Sequence, residues 1–337
     1  MAARVDQDAI LAAYDGALAA VPEAAAFGRS IAHDIDRIVF VGCGGPNRTM
    51  LSAEYWVEHL SLSLETRRYF PAELLALAPR RLDARTLVVL GSKSGTTPET
   101  LAAAAYLKDL PCRTVGITQT ADRPLAQAVQ TPLLMGKSDG GHAAMFMVLQ
   151  AMLGGILAAR DGWDLLDPLL SSLRALPQVM ADTAAANDAR ATEEARIYKD
   201  DRILYHVAAG PMFSTAYVFG VCVLMEMQWM HSVALEAAEF FHGPFEIVDA
   251  NTPLLLMKGE DPSRPLMERV ERFCRKYTER LMIYDTADFP MTGIDARIRP
   301  MVGPYVMQAA VRQIASHLAV WHAHPLSTRR YMWKTEY

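Results

Sequence analysis

The sequence predicts an α/β protein with parallel sheets, and three observations predict it. Short β-rich runs alternate with long helical patterns along the chain, the order that a parallel sheet with crossover helices requires. A first strand closes on a tight turn that opens a helix at Gly42-Cys43-Gly44-Gly45-Pro46, and the same arrangement returns at Ala208-Ala209-Gly210-Pro211. The chain has 337 residues, 51% of them apolar, which is too long for one small domain and supplies core for two of roughly 150 residues each.

Each element follows in order. Residues 5–33 are Ala-rich and read as helix. Residues 38–41 are a strand and 47–60 its helix. Residues 87–90 are the next strand, ending at Gly91, and 98–107 the next helix, with Pro98 in the first turn where a missing N–H costs little. Residues 114–118 and 132–135 read as strands, and 142–160 and 163–187 as helices. The apolar run 143–159 holds Gln150, Gly154 and Gly155, so it predicts a buried helix rather than a membrane span. The polar, charged segment 181–201 is the candidate boundary, dividing 1–190 from 191–337. Beyond it come a strand at 203–207, an apolar helix to Met230, strands at 254–257 and 281–284, and a final helix at 304–322. The halves form a weak internal repeat. They are not equivalent, because Lys258-Gly259-Glu260-Asp261 follows the later strand where the first half has a loop rich in hydroxyls.

Composition excludes several classes. With 33 basic and 38 acidic residues the net charge is −5, against a general nucleic-acid binder. Cys43, Cys112, Cys222 and Cys274 lie far apart with no C-x-x-C pair, so no zinc site is expected. No basic-then-apolar leader pattern opens the chain, and the expected compartment is the cytoplasm. Gly42-x-Gly44-x-x-Asn47 lacks the third glycine of a dinucleotide fingerprint, and neither a P-loop ending nor a G-x-S-x-G elbow is present. Cys43 reads as a small residue packed under a tight loop. His317, His322 and His324 do not share one helix face and read as cap and surface residues rather than metal ligands.

Three segments carry candidate chemistry. In Gly91-Ser92-Lys93-Ser94-Gly95-Thr96-Thr97-Pro98 a strand ends and a helix begins. Hydroxyls, backbone N–H groups and a helix N-terminus converge there, as a phosphate monoester requires. The alternative is a turn with a Thr N-cap and no ligand. Glu226 stands in a helix apolar nearly all round. It is either a proton-transfer group with a raised pKa or a structural carboxylate with a core partner. His242, before Gly243-Pro244, is a turn histidine suited to acid/base work or a packed or solvated loop residue. The tail carries Arg329, Arg330, Tyr331, Trp333 and Lys334 and is expected to dock onto the body.

Together these residues resemble the SIS (sugar isomerase) family of phosphosugar proteins. The carrying residues are Gly42-Cys43-Gly44-Gly45, the 92–97 loop, Glu226, His242-Gly243-Pro244 and Lys334. The resemblance implies two tandem SIS subdomains, each a parallel sheet flanked by helices in a three-layer sandwich. The layout is similar to the isomerase half of glucosamine-6-phosphate synthase, in which a glutamate also stands sixteen residues before the His-Gly-Pro histidine. The runs 238–246 and 329–337 resemble the fructosamine-6-phosphate deglycase branch, including fructoselysine- and glucoselysine-6-phosphate deglycases. Gly45 and Pro46 depart from the Thr-Ser pair of the synthase's first loop, and no ammonia-delivering glutaminase domain is legible in this chain.

Carried over by resemblance, Ser92, Ser94 and Thr97 hold a 6-phosphate with the Lys93 N–H. Gly44 and Gly45 form a substrate-binding loop. Glu226 moves a proton at the amine-bearing carbon, and His242 assists ring opening, reaching the site from a second subunit as in the synthase. Lys334 sits near the open-chain carbonyl oxygen. The expected function is hydrolysis of a 6-phosphorylated Amadori-type sugar–amino acid to glucose 6-phosphate and amino acid, without cofactor or metal. The expected partner set is the phosphosugar-amine substrate and a second copy of the chain, with no nucleic acid and no membrane. The alternatives are a phosphosugar aldose-ketose isomerase, an aminosugar-6-phosphate deaminase/isomerase, or a phosphosugar-sensing module. Arg329 and Arg330 are candidates for the amino-acid carboxylate, with a solvated tail as the alternative.

Overall fold

The structure, a computed structural model, describes residues 5–138 and 142–336. Residues 1–4, at the start of the expected first domain, and Tyr337, at the end of the expected docked tail, lie outside the described residues, as do 139–141. The chain divides into two compact units. One comprises residues 8–177 and 293–298, the other 1–7, 178–292 and 299–337. The division falls just after Pro177, inside a helix, and the polar segment read as a boundary is helical as far as Tyr198.

The unit built on residues 8–177 runs α1 (Gln7–Ala12), α2 (Asp15–Ile31), β1 (Arg37–Gly42), α3 (Gly44–Leu60), β2 (Glu65–Tyr69), α4 (Pro71–Leu77), β3 (Thr86–Gly91), α5 (Pro98–Leu107), β4 (Arg113–Thr118), α6 (Pro124–Ala128), β5 (Thr131–Leu134) and α7 (His142–Asp161). It then enters α8 (Leu166–Tyr198). Its sheet has the order β2-β1-β3-β4-β5, all parallel. The central strand β3 is buried at every position, as a parallel strand covered on both faces must be. The apolar run read as a buried helix is α7, in which every residue from Ala143 to Leu157 is buried.

The strand β2 was not legible as a strand. Its sequence Glu65-Thr66-Arg67-Arg68-Tyr69 is polar because it is the sheet edge, where charge is tolerated and discourages further pairing. Arg37 at the start of β1 bonds Glu65 there, and Arg68 bonds both Glu54 and Asn47.

The second unit continues with β6 (Ile203–Ala208), α9 (Phe213–Tyr217), α10 (Glu226–Gln228), β7 (His231–Glu236), β8 (Leu254–Lys258), α11 (Arg264–Tyr277), β9 (Leu281–Asp285) and α12 (Arg299–Trp321). Its sheet is also all parallel, in the order β7-β6-β8-β9. In both sheets the strand that closes on the opening turn (β1, β6) pairs with an edge strand (β2, β7) on one side, and the third strand of the unit (β3, β8) pairs on its other side. The internal repeat in sequence thus has a counterpart in topology.

The apolar helix read as continuous to Met230 is broken. A 3-10 turn at Gly210–Met212 leads into α9, and a π-helix occupies Val218–Met225 before the short α10. Beneath this segment His206 is fully buried, with its Nε2 2.7 Å from Ser232 Oγ. Burial lowers the His206 pKa to about 3, so the ring is neutral. His317, read as a cap or surface residue, is instead buried on α12 and bonds Asp188 of α8 at 2.8 Å. The His322 ring bonds both the Lys199 carbonyl and the Gln228 side chain, and the His324 carbonyl accepts from the Gln228 amide, so these contacts tie the end of α10 to the end of α12.

Candidate functional site

The loop after β3 is built by its own hydroxyls. Ser92, buried at the strand end, lies 2.8 Å from Thr97 Oγ1 and accepts the Gly95 N–H at 3.1 Å. Ser94, exposed, accepts from the Thr96 N–H and hydroxyl. Gly95 has φ +67°, and a Cβ there would stand 2.5 Å from Arg123 Cβ, so the turn requires glycine. Thr97 is the N-cap of α5, yet its side chain makes no capping bond. Its hydroxyl faces Ser92 instead, and the first N–H groups of α5 have no side-chain cap. A loop that only capped a helix would use Thr97 for that purpose. The helix end instead presents uncapped N–H donors beside an exposed serine hydroxyl, the donor set an oxyanion takes.

The preceding turn places Gly44 exposed with φ +53° and Gly45 buried at the start of α3. Cys43, half-buried beside them, has a thiol pushed above its ordinary pKa, first by burial and then by Glu99, which is the wrong direction for a nucleophile.

The corresponding loop of the second unit is filled by its own side chains. Lys258 bonds Glu271 at 2.7 Å and Asp285 at 3.1 Å, and Arg264 pairs with Asp285. Asp261 accepts from both the N–H and hydroxyl of Ser263. Glu236, at the end of β7, is pushed up to about 7 by burial, against the lowering effect of the Ala238, Ala237 and Gly210 N–H groups. The two strand-end loops therefore differ in kind. One is an open donor set, and the other has its own ions in place.

Glu226 follows the π-helix directly, and its N–H reaches back to the Val221 carbonyl five residues earlier. Such wide turns recur at functional sites because they shift the phase of a helix face. The Glu226 side chain is 24% exposed and sits 2.8 Å from Arg329 Nη2, whose own side chain is 8% exposed. Burial raises the Glu226 pKa above its ordinary value, and the Arg329 cation partly offsets the rise. Both residues line a cavity of about 660 Å³ whose walls include Met225, Trp229, Met230 and Tyr331.

Trp229 ends α10 with φ +56°, a left-handed conformation unusual for a bulky side chain. The Met230 N–H bonds the Leu224 carbonyl six residues back across it, and tryptophan holds the left-handed position that glycine usually takes at a helix end.

Of the tail's described residues only Arg329 is buried, while Tyr331 and Trp333, the aromatics expected to dock, are exposed, and the tail divides the work of its cations. Arg329 is buried. Its Nη1 donates to the Leu326 and Thr328 carbonyls, and its Nε is buried without a hydrogen-bond partner. Lys334 donates to the Arg329 carbonyl at 2.6 Å, so it lies next to the residue that holds Glu226. Arg330 is exposed and stacks over Trp229 at 4.2 Å.

His242 ends a 3-10 turn, Phe240–His242, and is exposed. Phe240 anchors the turn, fully buried and edge-on to Phe241 and Phe273. Gly243 has φ +143°, which only glycine adopts freely, and Pro244 opens the next turn. The chain therefore holds His242 out from a rigid aromatic base.

Glu226, His242 and Lys334 belong to one unit, and Ser92, Lys93, Ser94, Thr97, Gly44 and Gly45 to the other. Sequence reasoning did not single out Trp229, and it left Arg329 without its partner. The doubled arginine in an aromatic tail was the one available signal.

The SIS-domain family pattern matches residues 32–159. The chain is 35% identical to the fructosamine deglycase FrlB of Bacillus subtilis (strain 168), over 90% of this chain and 93% of that protein. It is 33% identical to an agropine synthesis conjugase of Rhizobium rhizogenes, over 88% and 85%. It is 27% identical to the fructoselysine 6-phosphate deglycase of Escherichia coli O157:H7, over 89% and 86%. A crystal structure of a chain from Bacillus subtilis assigned as a phosphosugar isomerase matches with a TM-score of 0.88 at 34% identity, over 95% and 99%.

Proposed function

The chain belongs to the SIS-domain family, among its fructosamine deglycase relatives, and on that premise we propose that it hydrolyses a 6-phosphorylated sugar–amino acid conjugate to glucose 6-phosphate and the free amino acid. The observation that carries this reading is Glu226, a half-buried carboxylate held by Arg329 on the wall of a cavity large enough for such a conjugate. Its environment raises its pKa toward the range useful for moving protons near neutrality.

The chemistry follows from the substrate. The conjugate is a 1-amino-1-deoxy-ketose 6-phosphate. Ser92, Ser94 and Thr97, with the Lys93 N–H, hold the phosphate, and Gly44 and Gly45 lie against the sugar. His242 assists ring opening, which exposes the C2 carbonyl. Glu226 removes a C1 proton to give an enaminol, and a proton returned to C2 leaves an imine at C1. Water adds to the imine and releases the amine, so one water is consumed and the carbon chain leaves as the aldose phosphate. Lys334 lends positive charge near the C2 oxygen. Each step is a proton transfer with stabilisation of charge on oxygen. The phosphate anchor positions the carbons for it. We place the enzyme in a reducing cytoplasm as a homodimer, with His242 serving the site of the partner subunit. Light scattering tests the dimer.

A second reading has one specific support, the likeness to a conjugase. The same proton transfers run backwards would join glucose 6-phosphate to an amine.

A coupled assay tests both. The protein is incubated with fructoselysine 6-phosphate, glucose 6-phosphate is followed through its dehydrogenase, and lysine is measured by mass spectrometry. Equimolar release of both supports the deglycase. Consumption of added glucose 6-phosphate and amine, with no release from the conjugate, supports the reverse direction. Silence in both directions favours a phosphosugar sensor.

A further inference from the structure

We propose that Arg330 receives the carboxylate of the substrate's amine half, so that the cavity beside Glu226 selects conjugates of amino acids over those of simple amines. The inference rests on the deglycase reading and names the substrate class within it.

The tail presents two adjacent arginines in opposite states. Arg329 is 7% exposed and is engaged by Glu226 and by the Leu326 and Thr328 carbonyls. Its charge is matched by Glu226. Arg330 is exposed, and among the described residues no carboxylate pairs with it. Its guanidinium lies 4.2 Å over the Trp229 ring. Stacking engages the face of a guanidinium and leaves its in-plane N–H fork open, the edge that grips a carboxylate with two parallel bonds.

The platform under Arg330 is fixed in advance. Trp229 is held in its left-handed conformation, its ring packs on His324 at 4.4 Å, and Gln228 donates to the His324 carbonyl. Strain held in place by its surroundings is characteristic of a binding element. Both Arg330 and Trp229 line the cavity that Glu226 and Arg329 line, and the rest of its wall is three methionines, Tyr331 and His231. With Glu226 and Arg329 neutralising each other, the unmatched guanidinium gives this end of the cavity a preference for an anion. An amino-acid conjugate supplies that anion together with an apolar stem for the methionines.

The test compares phosphofructosyl conjugates of glycine and lysine with those of glycinamide and lysinamide, which lack only the carboxylate charge. Wild type is expected to prefer the carboxylate member of at least one pair by about tenfold or more in kcat/KM, the scale of one charge-assisted pair of bonds. In Arg330→Ala that ratio is expected to fall to about one, and Arg330→Lys retains part of it. Equal use of acid and amide by wild type, or a ratio that survives Arg330→Ala, overturns the inference and leaves the deglycase intact. Absence of turnover with every conjugate by folded wild type overturns the deglycase reading and this inference with it.

Discussion

Arg329 Nη2 lies 2.8 Å from Glu226 Oε1, which places a buried cation against the one carboxylate at the end of the π-helix. Two effects act on that carboxylate. Burial raises its pKa, and the guanidinium lowers it by less. A base must be ionised to accept a proton, so the acid limb of kcat/KM is expected above the ordinary glutamate value of 4.5. Arg329→Gln removes the lowering influence, and the limb is expected to move to higher pH. pH profiles of the two proteins check this, and a limb that stays or moves down contradicts the coupling.

The exposed Ser94 and the left-handed Gly95 separate binding from folding in the proposed phosphate loop. Ser94→Ala is expected to raise KM by about tenfold, the loss of one hydrogen bond to a charged group, with a smaller change in kcat. Gly95→Ala meets Arg123 and Thr118 and forces φ out of its positive region, so it is expected to lower the melting temperature. Steady-state kinetics and thermal melts distinguish the two. An unchanged KM in Ser94→Ala would move the phosphate elsewhere.

His242 is exposed at the end of its turn, so on the proposed mechanism its loss removes chemistry with little effect on packing. His242→Ala is expected to lower turnover by about 100-fold or more while stability changes by no more than about 0.5 kcal/mol. Near wild-type turnover would remove it from the reaction.

Glu236 gives a stability test independent of activity. Its pKa rises in the fold from the ordinary 4.5 to about 7. Over that interval the folded chain keeps a proton that the unfolded chain loses. The fold therefore loses stability as pH rises through the interval. Glu236→Gln keeps an acceptor for the Gly210, Ala237 and Ala238 N–H groups and cannot ionise. Its melting temperature is expected to fall less between about pH 5 and 7 than that of wild type. Parallel slopes would contradict the assignment.

What the sequence disclosed follows burial. The central strands are mostly apolar because both faces are covered, and β1, β3, β4, β6 and β8 were legible for that reason. Of the edge strands, β5 and β9 were read, while β2 and β7, which open on exposed polar residues, were missed. Helix α11 was also missed. Its three buried residues, Met267, Val270 and Cys274, are sparse among charges. The hydroxyl-rich loop after β3 and the segments that carry Glu226 and His242 were legible because each is local in sequence. The Glu226–Arg329 pair was not, because its members lie about a hundred residues apart and meet only when the tail docks. The left-handed Trp229 was hidden for a different reason: glycine usually marks that position, and here a tryptophan occupies it.

The central claim is that Glu226 moves the proton. The most direct measurement is turnover and calorimetric binding of one phosphofructosyl amino acid by Glu226→Gln beside wild type. The account predicts binding retained within a few-fold and amine release lowered by about 100-fold or more. Amine release at the wild-type rate by Glu226→Gln would contradict it.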